Sequence, residues 1–250
     1  MKIIKKIMGI FGYKLTEKNL VKNEQLIPEN SKISPGGFVE ELIKIKKNFF
    51  LIQIGANDGK IDDFLSTIIK KENIKSILVE PIEENFSKLK NVYNNYQNVI
   101  LENSAIDIMD KEKEIYKVDQ KYLKYYGNHI PYISSFLLSH LIKHGVKKRH
   151  IVKDKVKCLS PKSLIEKFNI KNFDLLVIDA EGYDDVILNE FLKIDDIKPV
   201  IIFEWIHIKN SNFIKLYKKL EEKNYKLLRI EKDLICFKKN LDVKFSININ

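Results

Sequence analysis

Apolar residues along the chain fall into short runs, separated by stretches with helical spacing. Residues 49–54, 76–79, 98–101, 173–178 and 200–203 read as strands. The runs FFLIQI, FDLLVI and VIIF are apolar on both faces, the pattern of central parallel strands covered by helices. Between them, residues 61–71, 83–93, 186–192 and 213–220 repeat apolar positions at helical intervals; in the second, Phe86, Leu89 and Val92 share one face. Residues 225–230 and 234–237 close the chain as two further strands. Alternation of this kind predicts a three-layer α/β fold.

Two stretches break the rhythm. Residues 107–160 separate the third and fourth strands by far more than one crossover helix requires. They hold Tyr116, Tyr122, Tyr125, Tyr126 and Tyr132, and four of the five histidines, His129, His140, His144 and His150. A long insertion in a compact domain is commonly a lid or a binding surface, and Tyr and His suit a sugar or another polar ring, so 107–160 is read as a substrate lid. At the other end, residues 2–14 place Ile3, Ile4, Ile7, Met8, Ile10 and Phe11 on one side of a helix and Lys2, Lys5 and Lys6 opposite. That is a basic amphipathic segment suited to an anionic membrane surface, or to packing on the domain. Pro28, Pro35, Gly36 and Gly37 then mark a linker. The chain therefore divides into an N-terminal segment and linker, 1–37, and a main domain, 38–250.

Composition adds one unusual number. Among 250 residues, 44 are Lys or Arg and 34 are Asp or Glu, a formal balance of +10. Only Arg149 and Arg229 are arginine. Readout of bases and phosphates leans on the planar Arg fork, so scattered lysines imply solvated faces and no nucleic-acid partner. No apolar run approaches the ~18 residues of a spanning helix. Cys158 and Cys236 lie far apart in apolar surroundings and have no metal-ligand spacing. With neither a disulfide framework nor a signal peptide, a cytoplasmic location is expected, at the inner membrane surface if the basic segment binds there.

Candidate chemistry gathers at the strand ends. The first strand runs into Gly55-Ala56-Asn57-Asp58-Gly59. Such a turn lets backbone approach a ligand and present N–H groups to it. It is GxxxG rather than GxGxxG, and Asn57 in place of the middle glycine favours a smaller anion, such as a carboxylate, over a pyrophosphate. The second strand ends at Glu80, where an acid accepts hydrogen bonds from both hydroxyls of a ribose. The fourth ends in Asp179-Ala180-Glu181-Gly182, the fifth in Glu204-Trp205-Ile206-His207. Parallel strands share one carboxyl edge, so Gly55, Glu80, Asp179 and Glu204 should line one crevice. Buried acids there call for a cationic cofactor, a metal ion or a proton in transit.

FLIQIGANDG, ILVEP with its ENF helix, ENSAI, ISSF, LLVIDAEGYD and PVIIFEWIHI together resemble the FkbM-type methyltransferases over residues 38–238. The resemblance implies a Rossmann-like class I fold with a seven-stranded, mostly parallel sheet and a C-terminal antiparallel hairpin. It also implies O-methylation from S-adenosylmethionine, commonly of a sugar or polyketide hydroxyl, and here most simply of a surface-glycan sugar. On that reading Gly55, Asn57, Asp58 and Gly59 hold the methionine carboxylate, Glu80 the ribose, and Ser104 and Ala105 flank the adenine. Asp179 serves the methionine moiety or acts as base; Glu204 and His207 are the other catalytic candidates. Tyr132, Ser135 and Glu181 face the substrate. Asp179, Glu181, Glu204 and His207 can instead hold a divalent cation that polarises the hydroxyl. One departure stands out: where many members carry an acid two positions before the first glycine, this chain has Gln53. A nicotinamide-dependent sugar oxidoreductase or epimerase is the alternative the missing middle glycine opposes. A noncatalytic glycan-assembly module is the other, and it leaves the acidic crevice unexplained.

Overall fold

The computed structural model describes residues 13–15, 20–22, 34–60, 64–127, 130–230 and 232–238. In chain order the domain runs α1 (Pro35–Ile45), β1 (Phe50–Ile54), α2 (Phe64–Glu72), β2 (Lys75–Val79), α3 (Glu83–Tyr93) and β3 (Val99–Glu102). The insertion follows as β4 (Ala105–Ile106), β5 (Lys111–Val118), β6 (Ser134–Ser135), α4 (Leu138–Lys143) and β7 (Ile151–Leu159). The chain then completes α5 (Pro161–Lys167), β8 (Leu175–Ile178), α6 (Asp184–Phe191), β9 (Val200–Glu204), α7 (Asn210–Glu222), β10 (Tyr225–Ile230) and β11 (Asp233–Lys238).

Seven strands form one sheet in the order β10-β11-β9-β8-β1-β2-β3. From β9 to β3 the pairing is parallel, and β11 runs antiparallel to both its neighbours. This is the expected class I arrangement with its terminal hairpin. The two-residue period of each strand sends alternate side chains to opposite layers. Leu51, Leu78, Leu175 and Ile202 pack with Phe38, Leu42, Leu65, Ile69 and Leu89 of α1, α2 and α3. Ile52, Ile77, Leu176 and Phe203 pack with Leu164, Leu188, Phe191 and Leu216 of α5, α6 and α7. Both faces are dry, which is why the strand sequences carry so few polar residues.

Two helices lie where the sequence pattern predicted none: α1 begins in the expected linker, and α5 falls in a stretch to which no element was assigned. α1 contains Pro35, Gly36 and Gly37, which read as linker. Ser34 Oγ accepts the Gly37 N–H at 3.1 Å, and Pro35 sits in the first turn, where no N–H is needed. α5 repeats the device, with Ser160 capping Ser163 N–H and Pro161 in the first turn. Upstream, Tyr13–Leu15 pairs antiparallel with Leu20–Lys22, so Tyr13 and Lys14 are extended where a helix was expected. The rest of the basic segment, including Lys2, Lys5 and Lys6, lies outside the described residues. No described helix is long and apolar enough to cross a membrane.

The insertion is a second sheet, ordered β4-β7-β5-β6. β5 and β7 pair antiparallel along eight residues. β5 is Lys- and Glu-rich, β7 is Lys-rich, and both are only partly buried, so backbone ladders define them more than any apolar run does. Asp107, just after β4, ties this sheet to the main one. Its fully buried carboxylate accepts from Lys113 Nζ at 3.0 Å and from Tyr183 Oη at 2.7 Å, with Lys111 Nζ at 3.3 Å. Burial alone would raise its pKa; hydrogen bonds from Tyr183, the Ile108 backbone and Lys113 outweigh this and hold it below the usual Asp range.

Asp107→Asn should therefore cost about 2–3 kcal/mol of stability at neutral pH. A carboxylate with a lowered folded pKa contributes above its unfolded value, about 3.9, and the contribution is lost as pH falls through the folded value. Chemical denaturation at pH 7 and pH 3 should show the gap between wild type and variant closing in acid.

Candidate active site

The carboxyl ends of β1, β2, β8 and β9 open on one cavity of about 300 Å³. Its tightest point is backbone. Gly55 sits at φ +83°, and a Cβ there would collide with the Asp179 carbonyl oxygen, so glycine alone allows β1 and β8 to turn this close together. Gln53, Gly55, Asn57, Glu80, Ser104, Ala105, Tyr132, Ser135, Asp179, Glu181, Glu204 and His207 all line the cavity. Asp58 and Gly59, expected to complete the ligand-holding turn, lie off its wall. Asp58 accepts the Lys60 N–H at 3.0 Å, and Gly59 backs onto Leu89 and Tyr93 of α3.

The turn itself differs from a phosphate-type cradle. Gly55 and Ala56 donate to Val79 O, Asn57 donates to Glu80 Oε2, and Gly59 donates to Ala56 O. These N–H groups are spent inside the protein rather than aimed at a ligand. What faces the cavity at this end is a set of side chains. Gln53 Oε1, Asn57 Oδ1 and Ser104 Oγ are buried without a hydrogen-bond partner among the described residues. Leaving such groups unpaired costs ~1–3 kcal/mol each, so they mark where a polar ligand belongs. Glu80 is buried beside them, accepting from Asn57 N–H at 3.0 Å and Ile82 N–H at 2.9 Å. Burial pushes its pKa up to about 7, against the lowering effect of those bonds.

The other end is acidic. Asp179 is solvent-exposed within the cavity; the protein packed around it raises its pKa, and Lys232 and His140 only partly offset this. Burial, reinforced by Asp179, also raises Glu181. Glu204 is pushed up to about 8 by burial and Asp179, with Lys232 Nζ 3.5 Å from Oε1. Beyond the wall, Asp184 accepts from Ala180 and Gly182 N–H, shaping the loop after β8. Glu181 holds a left-handed conformation at φ +51°, uncommon outside glycine and asparagine. It is pinned there from the insertion: Ser135 Oγ donates to its carbonyl at 2.8 Å, and His140 Nε2 lies 2.7 Å from Oε2. Tyr132 also joins the insertion to the glycine turn, its carbonyl accepting from Asn57 Nδ2 at 3.3 Å.

His140 and His144 were not among the candidate site residues. Their four-residue spacing was a legible signal, but the helix that puts them on one side, α4, was not. Lys232 was missed because its place depends on the β10–β11 turn. The cation cage expected from Asp179, Glu181, Glu204 and His207 is not what forms. Among the described residues, the donors that group for a metal ion are His140, His144 and His207.

A family model described as the methyltransferase FkbM domain matches residues 53–227. No curated protein matches the chain. Similar solved structures include a methyltransferase FkbM from Methylobacillus flagellatus KT, 13% identical, covering 78% of this chain and 46% of that one, with a TM-score of 0.48. The chain thus spans less than half the length of that relative. A precorrin-6y C5,15-methyltransferase from Geobacter metallireducens GS-15 is 10% identical over 86% of this chain and 94% of that one, TM-score 0.41. The N-terminal domain of human METTL16 in complex with SAH is 12% identical over 92% and 78%, TM-score 0.41.

Glu80 carries its own pH signature. Its pKa rises from 4.5 unfolded to about 7 folded, so it favours the fold most below the unfolded value and that help is lost as pH rises through the folded one. Glu80→Gln, which cannot ionise, should gain on wild type between pH 5 and pH 8 by up to about 3 kcal/mol. Melting curves across that range check it, and a constant difference would contradict the burial-driven shift.

Proposed function

The chain belongs to the methyltransferase FkbM-domain family; we propose that it is an S-adenosylmethionine-dependent methyltransferase that methylates a hydroxyl of a sugar in a surface glycan. The observation that carries the cofactor end is the trio of buried, unpartnered polar atoms beside Glu80. S-adenosylmethionine supplies a methyl already activated on a sulfonium. Gln53 Oε1 and Asn57 Oδ1 are acceptors suited to the cofactor's ammonium, which compensates for the absence of an acid at position 53. Gly55 lets the chain lie close to the methionine moiety, and Asp58 and Gly59 support the turn from behind. Glu80 retains lone pairs for the ribose hydroxyls, and Ser104 with Ala105 lies against the adenine.

At the other end, Asp179 and Glu181 supply the negative field a sulfonium prefers. Glu204 accepts the acceptor's proton: a carboxyl with a pKa of about 8 is matched to proton transfer near neutrality. His207 Nε2, 3.3 Å from Glu204 Oε2, orients it. The acceptor face mixes rings, Tyr132, Phe136 and Tyr183, with carboxylates. Flat apolar faces beside hydrogen-bond acceptors suit a sugar. Ser135, which holds Glu181, shapes this face. The same reading keeps residues 2–14 as a contact with an anionic inner-membrane surface, where glycans are assembled, and involves no nucleic acid.

Glu80→Ala should weaken S-adenosylhomocysteine binding by about 100-fold, in line with ~3 kcal/mol for hydrogen bonds to a charged group. Undiminished binding by calorimetry would overturn the site assignment. Glu204→Gln should retain that binding and slow radiolabelled methyl transfer to a panel of sugar acceptors by about 10²–10⁴-fold.

A further inference from the structure

Three imidazoles meet at the acceptor end of the cavity. His140 and His144 come from α4 and its C-cap, four residues apart and so on one side of the helix. His207 comes from the turn after β9. Ring centroids lie 4.5 Å apart for His140 and His144, 4.6 Å for His140 and His207, and 5.2 Å for His144 and His207. One ring nitrogen from each falls within 4.8 Å of the other two. From these contacts we infer that His140, His144 and His207 bind a first-row divalent transition-metal ion of the Zn²⁺ or Co²⁺ type.

Three observations support it. First, imidazole nitrogen is the donor such ions prefer, whereas Mg²⁺ and Ca²⁺ take oxygen. A tetrahedral ion with bonds of ~2.0–2.1 Å needs nitrogens ~3.3 Å apart, so modest ring rotation closes the set. Second, carboxylates stand behind two of the rings. Glu181 Oε2 lies 2.7 Å from His140 Nε2, and Glu204 Oε2 lies 3.3 Å from His207 Nε2. A carboxylate holding one imidazole N–H fixes the ring and makes its other nitrogen a better donor. Third, the backbone makes room. Gly182 is at φ +86°, and a Cβ there would sit 3.1 Å from His140 Nδ1 and 3.4 Å from His207 Cβ. The clustered rings leave space at this position for no side chain.

Three protein ligands leave coordination positions for another molecule. His144 and His207 line the cavity, so the remaining positions face it. β9 and β2 are three strand spacings apart in the sheet, ~14 Å, which separates the histidines from Glu80. An ion here would draw a hydroxyl's proton toward ionisation and ease its passage to Glu204. That use rests on the proposed methyl transfer; metal binding itself does not.

The test uses the full chain, stripped with a chelator and titrated with Co²⁺ alone, followed by visible absorption and elemental analysis. A single Co²⁺ per chain is expected, displaced by Zn²⁺ and not by Mg²⁺. His144→Ala, at a half-exposed position, should weaken it by at least about 100-fold, and Glu181→Gln by about 10–100-fold. Gly182→Ala, which keeps all three imidazoles, should also weaken it. His150→Ala, a buried histidine outside the cluster, should bind as wild type does. Melting curves verify that each variant is folded. Failure of the wild type to take up Co²⁺, or equal uptake by folded His144→Ala and His140→Ala, overturns the site. S-adenosylhomocysteine calorimetry on the same samples separates the two readings. Co²⁺ without that ligand upholds the metal site and rejects the cofactor assignment, and the ligand without Co²⁺ does the reverse.

Discussion

The constraint around which this structure is arranged is a row of carboxylates at the edge of a dry sheet. β1, β8 and β9 are apolar on both faces because helices cover both. Where those strands end, the chain emerges with exposed Asp179, half-buried Glu181 and buried Glu204 around one cavity, and their crowding and the protein around them make each harder to ionise. Much of the surrounding structure can be read as a response to that charge. Lys232 is brought in from the β10–β11 turn, His140 from the insertion, and His207 from the turn after β9. Lys232 and His140 relieve part of the repulsion, His207 Nε2 lies 3.3 Å from Glu204 Oε2, and the remainder is an attraction for a cation.

The cavity therefore has two chemically distinct ends. Around Glu80 the demand is for hydrogen bonds, because Gln53 Oε1, Asn57 Oδ1 and Ser104 Oγ are buried atoms left unanswered among the described residues. Around Asp179 the demand is for positive charge. A molecule with hydrogen-bonding groups at one end and a cationic centre farther along answers both, and S-adenosylmethionine has that layout. The glycine turn contributes less than its motif implies. Its N–H groups are consumed within the protein, and its service is the close approach of β1 to β8 at Gly55.

The insertion completes one wall of the cavity. Asp107 anchors its sheet to Tyr183 at the start of α6, and Ser135 and His140 hold the Glu181 loop in a conformation it would not adopt alone. A lid is the expectation for such a long segment; the structure has a polar four-stranded sheet whose inner residues are part of the cavity wall. The insertion and the shape of the acidic loop are thereby coupled through the same few contacts.

The order of elements, the parallel sheet and the line of residues along its carboxyl edge were determined by the sequence alone. Apolar runs at strand length, broken by helical spacing, admit few other arrangements, and parallel strands must end on one side. Gly55, Glu80, Asp179 and Glu204 were legible for that reason. α1 and α5 were not, because Pro and Gly mark helix starts as well as loops, and only the capping bonds of Ser34 and Ser160 decide between them. Nor was the sheet of the insertion, whose Lys-rich, only partly buried strands are defined by backbone hydrogen bonds. The meeting of His140 and His144 with His207, more than sixty positions later, belongs to tertiary structure entirely. It depends on how α4 docks beside the end of β9, and local patterning carries no information about contacts between segments so far apart in the chain.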